Sequence, residues 1–297
     1  MSNSLDARMK AALHREVHPA ISGFAAQLAD KSAGEAVLFY GSNLRTGSLE
    51  GVIDYYVLTA GEEETGMWPR VSYREWQHEG QTLRAKIATM TLAKFAKACR
   101  GDSRDTTIWA RFVQPSAIVF ARRNAAREEV LSALSHAART AARLAVAVGP
   151  QSGTEGDYWR ALFRSTYKAE LRVEKPGREN TILDLNAAHF DGLLPAALAA
   201  ESLEYVQEGD RITPQISKTE RRKILNWWHR RRRLGKPINI ARLLRATRTF
   251  DGAGRYAAWK VERHTGVKIA VTPWREKHPV LSAPSVMWKV WRAKRGG

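Results

Sequence analysis

AVLFYGSNLRTGSLEGVIDYYVLT, residues 36–59, sets two strand-like runs on either side of a loop rich in glycine and serine. The apolar run 36–40 reads as a buried strand. The run 52–59 is dense in β-branched and aromatic residues and reads as a second. The loop 41–51 carries Ser42 at its head and three glycines, the punctuation of a tight connection. Upstream, Leu5, Met9, Leu13, Val17, Ile21 and Leu28 recur near helical spacing and predict one amphipathic helix over 5–30. Downstream, residues 70–91 predict a hairpin turning at Glu79-Gly80, and 92–101 a helix ending at Gly101. Residues 106–120 predict a further strand bent at Pro115. Residues 122–148, rich in alanine and arginine, predict a helix that stops at Gly149-Pro150, and 156–171 another with Asp157 as its cap. From about residue 218 the pattern is helical and basic, with breaks expected at Gly235, Pro237, Gly252, Gly254 and Pro273.

The charge is unevenly placed. Residues 221–297 hold 21 Lys and Arg against 3 acids, which accounts for the whole formal net charge of +18. The first 220 residues carry 27 of each sign and balance. Six of the ten tryptophans also fall in the basic quarter: Trp227, Trp228, Trp259, Trp274, Trp288 and Trp291. Such a segment seeks a polyanion, either an anionic lipid surface or nucleic acid. Tryptophan among Arg and Lys suits the headgroup layer of a membrane, and it also suits stacking on single-stranded bases. A bland alternative is a solvated charged face with the tryptophans in a small core.

Other classes lack a carrier. The single cysteine, Cys99, permits no internal disulfide and no cysteine-based zinc site, so a reducing, cytoplasmic location is expected. No run of 18 apolar residues occurs, so no spanning helix is expected. The N-terminal residues lack the apolar centre of a secretory signal, and Asp6 and Glu16 do not suit a mitochondrial presequence. No Ser-His-Asp order, His-Glu-x-x-His helix or Walker loop is present.

One arrangement carries chemistry. An apolar strand ends in Gly41-Ser42, and Asp54 follows within the next strand. This layout resembles the nucleotidyltransferase superfamily. A Gly-Ser turn lets backbone and hydroxyl donors approach a triphosphate closely. A carboxylate on the adjacent strand holds Mg²⁺ beside the α-phosphate, where the metal offsets developing charge.

The segments LFYGSNLRTGSLEGVIDYYVL, LRAKIATMTLAKF, TIWARFVQP and STYKAELRV resemble, in that order, the mitochondrial-type phosphatidate cytidylyltransferases, also known as mitochondrial translocator assembly and maintenance proteins. The resemblance spans roughly residues 36–195 and leaves the basic tail unmatched. The family's Tyr-Gly-Ser turn looks like Tyr40-Gly41-Ser42, and its strand aspartate like Asp54. Its Lys-Tyr-Gly strand looks like Lys86-Ile87-Ala88, and its Gly-Arg-Leu-Gln-Lys-Pro segment like residues 110–115, with Arg111. Its Ser-Tyr-Ser-Gly-Asp-Phe-Arg-Met segment looks like residues 166–173, and His189-Phe190 falls where the family often has that pair. The sequence departs from the family at Asn43, which replaces a glycine, at Lys168-Ala169, which replaces Ser-Gly, and at Glu170, which replaces an aspartate.

The resemblance implies Mg²⁺-dependent transfer from CTP to phosphatidate, giving CDP-diacylglycerol and pyrophosphate. It implies Asp54, Lys86, Arg111 and Glu170 as catalytic residues, with Asp54 and Glu170 on the metal and Glu50 as the second candidate for Glu170's place. Gly41, Ser42, Arg45, Tyr167 and Arg172 would bind the nucleotide. Alternatives left open are an ordinary turn serine at Ser42, solvated strand charges at Lys86 and Arg111, and a Glu170–Arg172 pair at strand spacing. The expected fold is α+β, a nucleotidyltransferase-like mixed sheet flanked by helices with a mainly helical basic C-terminal region. Residues 1–120 would be the core, 121–217 a helical domain returning the 167–172 segment to the site, and 218–297 a region docking on the inner face of a membrane. The rivals are transfer to another lipid phosphate and a nucleotidyltransferase-fold protein that acts on or binds RNA.

Overall fold

The computed structural model describes residues 4–65, 69–104, 106–169, 178–249, 251–277 and 279–295. Ser4 caps α1 (Leu5–Leu13), its hydroxyl accepting from the Ala7 amide at 3.3 Å. The single helix expected over 5–30 is instead two, because α2 (Pro19–Ser32) begins at a proline. Proline lacks the N–H to continue a helix and holds His18 extended. Then come β1 (Gly34–Tyr40), the short α3 (Ser42–Thr46), β2 (Ile53–Thr59), β3 (Arg70–His78) and β4 (Gln81–Thr91). The β3–β4 turn falls at the expected Glu79-Gly80, both at positive φ, as a tight hairpin requires.

Thr91 caps α4 (Leu92–Cys99) through its hydroxyl. The strand expected over 106–120 is only half strand. Residues Thr107–Phe112 form the short helix α5, and β5 (Ser116–Ala121) starts after Pro115. β-Propensity is overridden by burial here: Ile108, Trp109 and Phe112 all enter the core from α5.

The helix α6 (Asn124–Val148) follows, and its many buried alanines let the neighbouring helices, α4 and α5 among them, pack closely around it. Then come β6 (Gly153–Thr154), α7 (Glu155–Ala169), α8 (Arg178–Leu185), α9 (Ala187–Phe190), α10 (Leu193–Ala200), β7 (Tyr205–Glu208) and β8 (Arg211–Pro214). The N-cap of α7 is Thr154 rather than Asp157. The two form a capping box in which the Asp157 carboxylate accepts from the Thr154 amide at 2.9 Å, and the Thr154 hydroxyl accepts from the Asp157 amide at 3.3 Å.

The main sheet has the order β3-β4-β2-β1-β5, with β2 and β4 parallel and the other pairs antiparallel. A small sheet joins β6, β8 and β7. The architecture is therefore mixed α+β, a five-stranded mixed sheet flanked by helices. Alternation along the strands feeds two cores. Val37, Phe39, Tyr55 and Val57 pack with Ile21, Phe24 and Leu28 of α2 on one face. Leu38, Tyr56, Leu58 and Met90 pack with α4 to α7 on the other.

The basic tail forms α11 (Lys218–Thr249), α12 (Ala253–Thr265), α13 (Pro273–Lys277) and α14 (Pro279–Arg295). The breaks expected at Gly235 and Pro237 do not occur, and α11 runs through both. Gly235 is pressed against α7 so closely that an added Cβ would stand 2.3 Å from the Ala169 carbonyl oxygen. Packing there offsets the hydrogen bond that Pro237 removes. Gly254 lies inside α12, whereas Gly252 and Pro273 do mark helix starts.

Part of the tail belongs to the larger core. Ile224 and Trp228 are buried in it, and Trp228 meets Trp109 edge to face at 6.2 Å. Side chains from all three stretches expected as domains, from Leu5 to Trp228, meet in that one core. Some of the tail's charge is structural too. Arg221 donates to the Ala147 and Gly149 carbonyls at the end of α6, and Arg231 to Ser103 and Gly101 while stacking on Trp227. Among the described residues, no helix is long and apolar enough to cross a membrane.

Candidate functional site

Strand register builds the site. Ser116, Tyr40, Asp54, Lys86 and Tyr73 are successive partners across β5, β1, β2, β4 and β3. Directly paired residues point to the same face, so this row of side chains lies along one side of the sheet. That is the side covered by α4 to α7, because Leu38, Tyr56 and Ala88, two residues along from members of the row, enter their core.

Gly41 gives Asp54 its surroundings. Its φ of +90° and ψ of −160° suit glycine alone. A Cβ there would stand 3.1 Å from the Asp54 Oδ2. The carboxylate is thus set against bare backbone at the end of β1. Among the described residues it has no hydrogen-bond or ion-pair partner. Burial pushes its pKa up, while Lys86 and then Arg111 pull it back.

Lys86 retains exposed surface, yet enough protein surrounds its ammonium that burial is the largest influence and lowers its pKa. Asp54 opposes that shift, and the like charges of Arg111 and Lys260 add to it.

Arg111 comes from α5, not from a strand. Its guanidinium lies over the Tyr40 ring at 5.4 Å and donates to the Tyr56 hydroxyl at 3.5 Å. Tyr40, Tyr56 and Phe112 form an aromatic floor, with ring centres 5.0 to 5.6 Å apart. Burial raises the Tyr40 hydroxyl's pKa strongly, so it stays protonated near neutral pH.

Three expected site residues are therefore brought together from three elements: Asp54, Lys86 and Arg111, with Gly41 beside them. Ser42 opens α3 with an exposed hydroxyl 3.4 Å from the Asn43 side-chain oxygen. Asn43, a departure from the family pattern, has a structural task. Its buried amide donates to the Ser48 and Glu50 carbonyls at 2.9 and 2.8 Å and so fixes the loop before β2.

Arg45 lines a cleft with Ala12, Pro115 and Asn186, and no described contact joins it to Asp54. Tyr167 sits in α7 and stacks on Phe163. Glu170 and Arg172 lie outside the described residues. Glu50 is exposed, and among the described residues no group of three or more His, Cys, Asp or Glu side chains is placed to hold a metal. His189 is structural: its Nε2 lies 2.9 Å from the Val113 carbonyl, and burial lowers its pKa.

The sequence reading missed Tyr56, whose hydroxyl receives the Arg111 contact, and it missed the tail's approach to this side of the sheet. Lys260 of α12 acts on Lys86, and Arg263 reaches Gly51. The only advance signal was that Tyr256, Trp259, Lys260 and Arg263 share a helical face.

The residues suit a Mg²⁺ ion. That ion keeps several waters and takes one or two protein carboxylates together with substrate phosphates. A recessed, unpartnered aspartate beside bare backbone, ringed by cations that attract phosphate, meets that description. No protein-family model matches the chain, and no curated protein matches it in sequence.

Proposed function

We propose that this protein is a Mg²⁺-dependent nucleotidyltransferase acting at a membrane surface, converting CTP and phosphatidate to CDP-diacylglycerol and pyrophosphate. The observation that carries the reading is the juxtaposition of Asp54, Lys86 and Arg111. One partner-free carboxylate faces two cations in a site walled by Gly41 and the Tyr40–Tyr56 floor. The choice of CTP and of phosphatidate rests on the resemblance of the segments around Tyr40, Lys86, Arg111 and Thr166 to the phosphatidate cytidylyltransferases. A nucleotidyltransferase fold is part of the same proposal.

In the reaction an oxygen of the acceptor phosphate attacks the α-phosphorus of the nucleotide. The bond from that phosphorus to the oxygen bridging the β-phosphate breaks, and pyrophosphate leaves. The acceptor phosphate is already ionised, with a second pKa of about 6, so no strong general base is required. What the chain supplies is position and charge. Asp54 would hold the metal, which when bound offsets charge on the phosphates. Lys86 and Arg111 would bind phosphate oxygens and stabilise the charge that builds on them. Ser42 would donate its hydroxyl to the outer phosphates. The Tyr40 ring holds the Arg111 guanidinium in place, and Tyr40 and Tyr56 keep water from one wall.

The test is to incubate the purified full chain with Mg²⁺, labelled nucleotides and a panel of phospholipid vesicles, and to follow pyrophosphate release. Release that requires both CTP and phosphatidate supports the reading. Release with another lipid phosphate moves the acceptor. Absence of release with every pair overturns it.

A further inference from the structure

The basic tail is tied to the site by its middle helix. Tyr256, Trp259, Lys260 and Arg263 recur at helical spacing and share one face of α12. That face meets the sheet beside Lys86. Tyr256 packs on Tyr73, the register partner of Lys86, with ring centres 5.5 Å apart. Trp259 takes the Arg84 guanidinium at 5.8 Å and that of Arg263 at 5.3 Å. Arg263 extends to the loop before β2, where its Nη1 lies 3.0 Å from the position a Gly51 Cβ would take. Lys260 lies over the Tyr256 ring at 5.1 Å and is near enough to Lys86 for its charge to act there.

The placement is anchored. The Asp251 carbonyl accepts from the Tyr73 amide at 2.7 Å, its carboxylate pairs with Arg74, and an added Cβ on Gly252 would stand 2.6 Å from the Tyr73 carbonyl oxygen. The free edge of β3 is thereby partly covered.

The charges at this junction do not balance. Among the described residues, Lys86, Lys260 and Arg263 have no ion pair, and Asp54 is the one acid that acts on Lys86. Like charges brought together cost energy that an anion between them would offset. The other side of α12 packs on α13 and α14, with Arg255 paired to Glu276 at 3.5 Å. Those two helices present Trp274, Met287, Trp288 and Trp291 to solvent, each more than half exposed. α12 therefore stands between the cation cluster and two helices that expose large apolar side chains.

We propose that Lys260 and Arg263 of α12, with Lys86 of β4, form a subsite for the phosphomonoester head of a lipid, the acceptor in the reaction. The inference rests on the nucleotidyl-transfer reading for the acceptor's role, but not for the binding itself. The tail is then part of the substrate site.

The test is calorimetric titration of the full chain at low salt with a water-soluble short-chain phosphatidate. Lys260→Gln and Arg263→Gln keep much of the side-chain stem, and Lys10→Gln, at an exposed position of α1, controls for net charge. The expected result is weakening by about tenfold or more in each α12 variant, the size of a lost charge-assisted contact, and by less than twofold in Lys10→Gln. CTP binding in Mg²⁺ should stay within twofold in all three. Equal weakening in all three variants, or none, overturns the subsite. Loss of CTP binding with the lipid unaffected overturns its assignment to the acceptor. Glycerol 3-phosphate binding as tightly as the diacyl ester overturns its assignment to lipid. If the wild-type chain binds the short-chain lipid through these residues but transfers no nucleotide, the subsite stands and the transferase reading falls. If it transfers nucleotide and the variants bind normally, the reverse holds.

Discussion

Asp54 and Lys86 are register partners on the parallel strands β2 and β4, and each shifts the other's ionisation toward its charged form. They are not joined by a direct ion pair, so the carboxylate keeps its oxygens for another ligand. The pairing depends on the β3–β4 hairpin, which returns β4 to lie parallel to β2. Residues 32 positions apart in sequence thus become neighbours.

If Asp54 holds the metal, Asp54→Asn removes turnover while leaving the fold. The change is nearly isosteric, and the side chain has no described partner to lose, so the midpoint of thermal unfolding should move little. Activity should drop by at least about 10²- to 10³-fold, the scale of losing one electrostatic contact at a transition state. A folded Asp54→Asn protein with near-normal turnover would remove Asp54 from the metal site.

Lys86→Ala and Arg111→Ala should each lower kcat by about 10²-fold or more. They differ in a second readout. Arg111 stacks on Tyr40 and bonds Tyr56, so its loss should also lower thermal stability, whereas loss of Lys86 relieves a partly desolvated charge and should not. If both variants keep wild-type kcat and KM, the two cations only decorate the sheet.

The capping box of α7 gives a pH signature. The Thr154 amide is the largest influence holding the Asp157 carboxyl below its ordinary value. A carboxylate with a depressed folded-state pKa contributes its full stability above the unfolded value, about 3.9, and loses it as pH falls through the folded value. The side chain is 43% exposed, so the contribution is modest. Asp157→Ala should cost about 0.5 kcal/mol near neutral pH, the scale of an acid in a helix's first turn, and the gap from wild type should narrow below about pH 4. Denaturant melts of both proteins across that range check it. A gap that does not change with pH would show that the carboxylate's charge contributes nothing.

Trp228→Ala should be among the most destabilising changes in the tail, by about 3 to 5 kcal/mol, because the ring is 1% exposed and packed on Trp109. A melt unchanged within about 1 kcal/mol would mean that α11 is not part of the folding unit. That scale is well below the cost of emptying a buried tryptophan site.

The strands and the Gly41–Asp54 loop were legible because alternation and turn glycines are local signals. So was the Glu79-Gly80 hairpin, where only two residues separate the runs. Arg111 comes near Asp54 from a helix rather than from the strand expected of it, since Thr-Thr-Ile-Trp is β-prone until Trp109 and Phe112 find their core. Trp227 and Trp228 pack inward, as the small-core alternative had it. Composition supplied tryptophan beside arginine, but not which ring meets Trp109 or that Arg231 stacks on Trp227. Lys260 and Arg263 were illegible for a related reason. A helical face is visible in sequence, but its target, a pair of strands far earlier in the chain with Tyr73 under Tyr256, is set by tertiary packing.

If the basic tail docks on a membrane, as proposed, its end carries the exposed rings for it. Trp227 and Trp228 are in the fold, and a chain cut near residue 218 would lose Ile224 and Trp228 from the core, so such a cut would report on folding rather than docking. Trp288 and Trp291, 58% and 51% exposed, lie on one helical face of α14 with Met287 nearby and with Lys289 and Arg292 interleaved. Each cation near an anionic surface is worth at most about 1 kcal/mol, and salt screens that share. Insertion of the rings is not screened. Wild type should therefore float with phosphatidate-containing vesicles at low salt and remain partly bound at high salt. Trp288→Ala with Trp291→Ala should bind at low salt and be released fully at high salt, with an unchanged thermal melt. Equal flotation of the double variant and wild type at both salt concentrations would place the docking surface elsewhere on the molecule. Strong RNA binding by wild type, with little on vesicles, would make α14 a nucleic-acid arm.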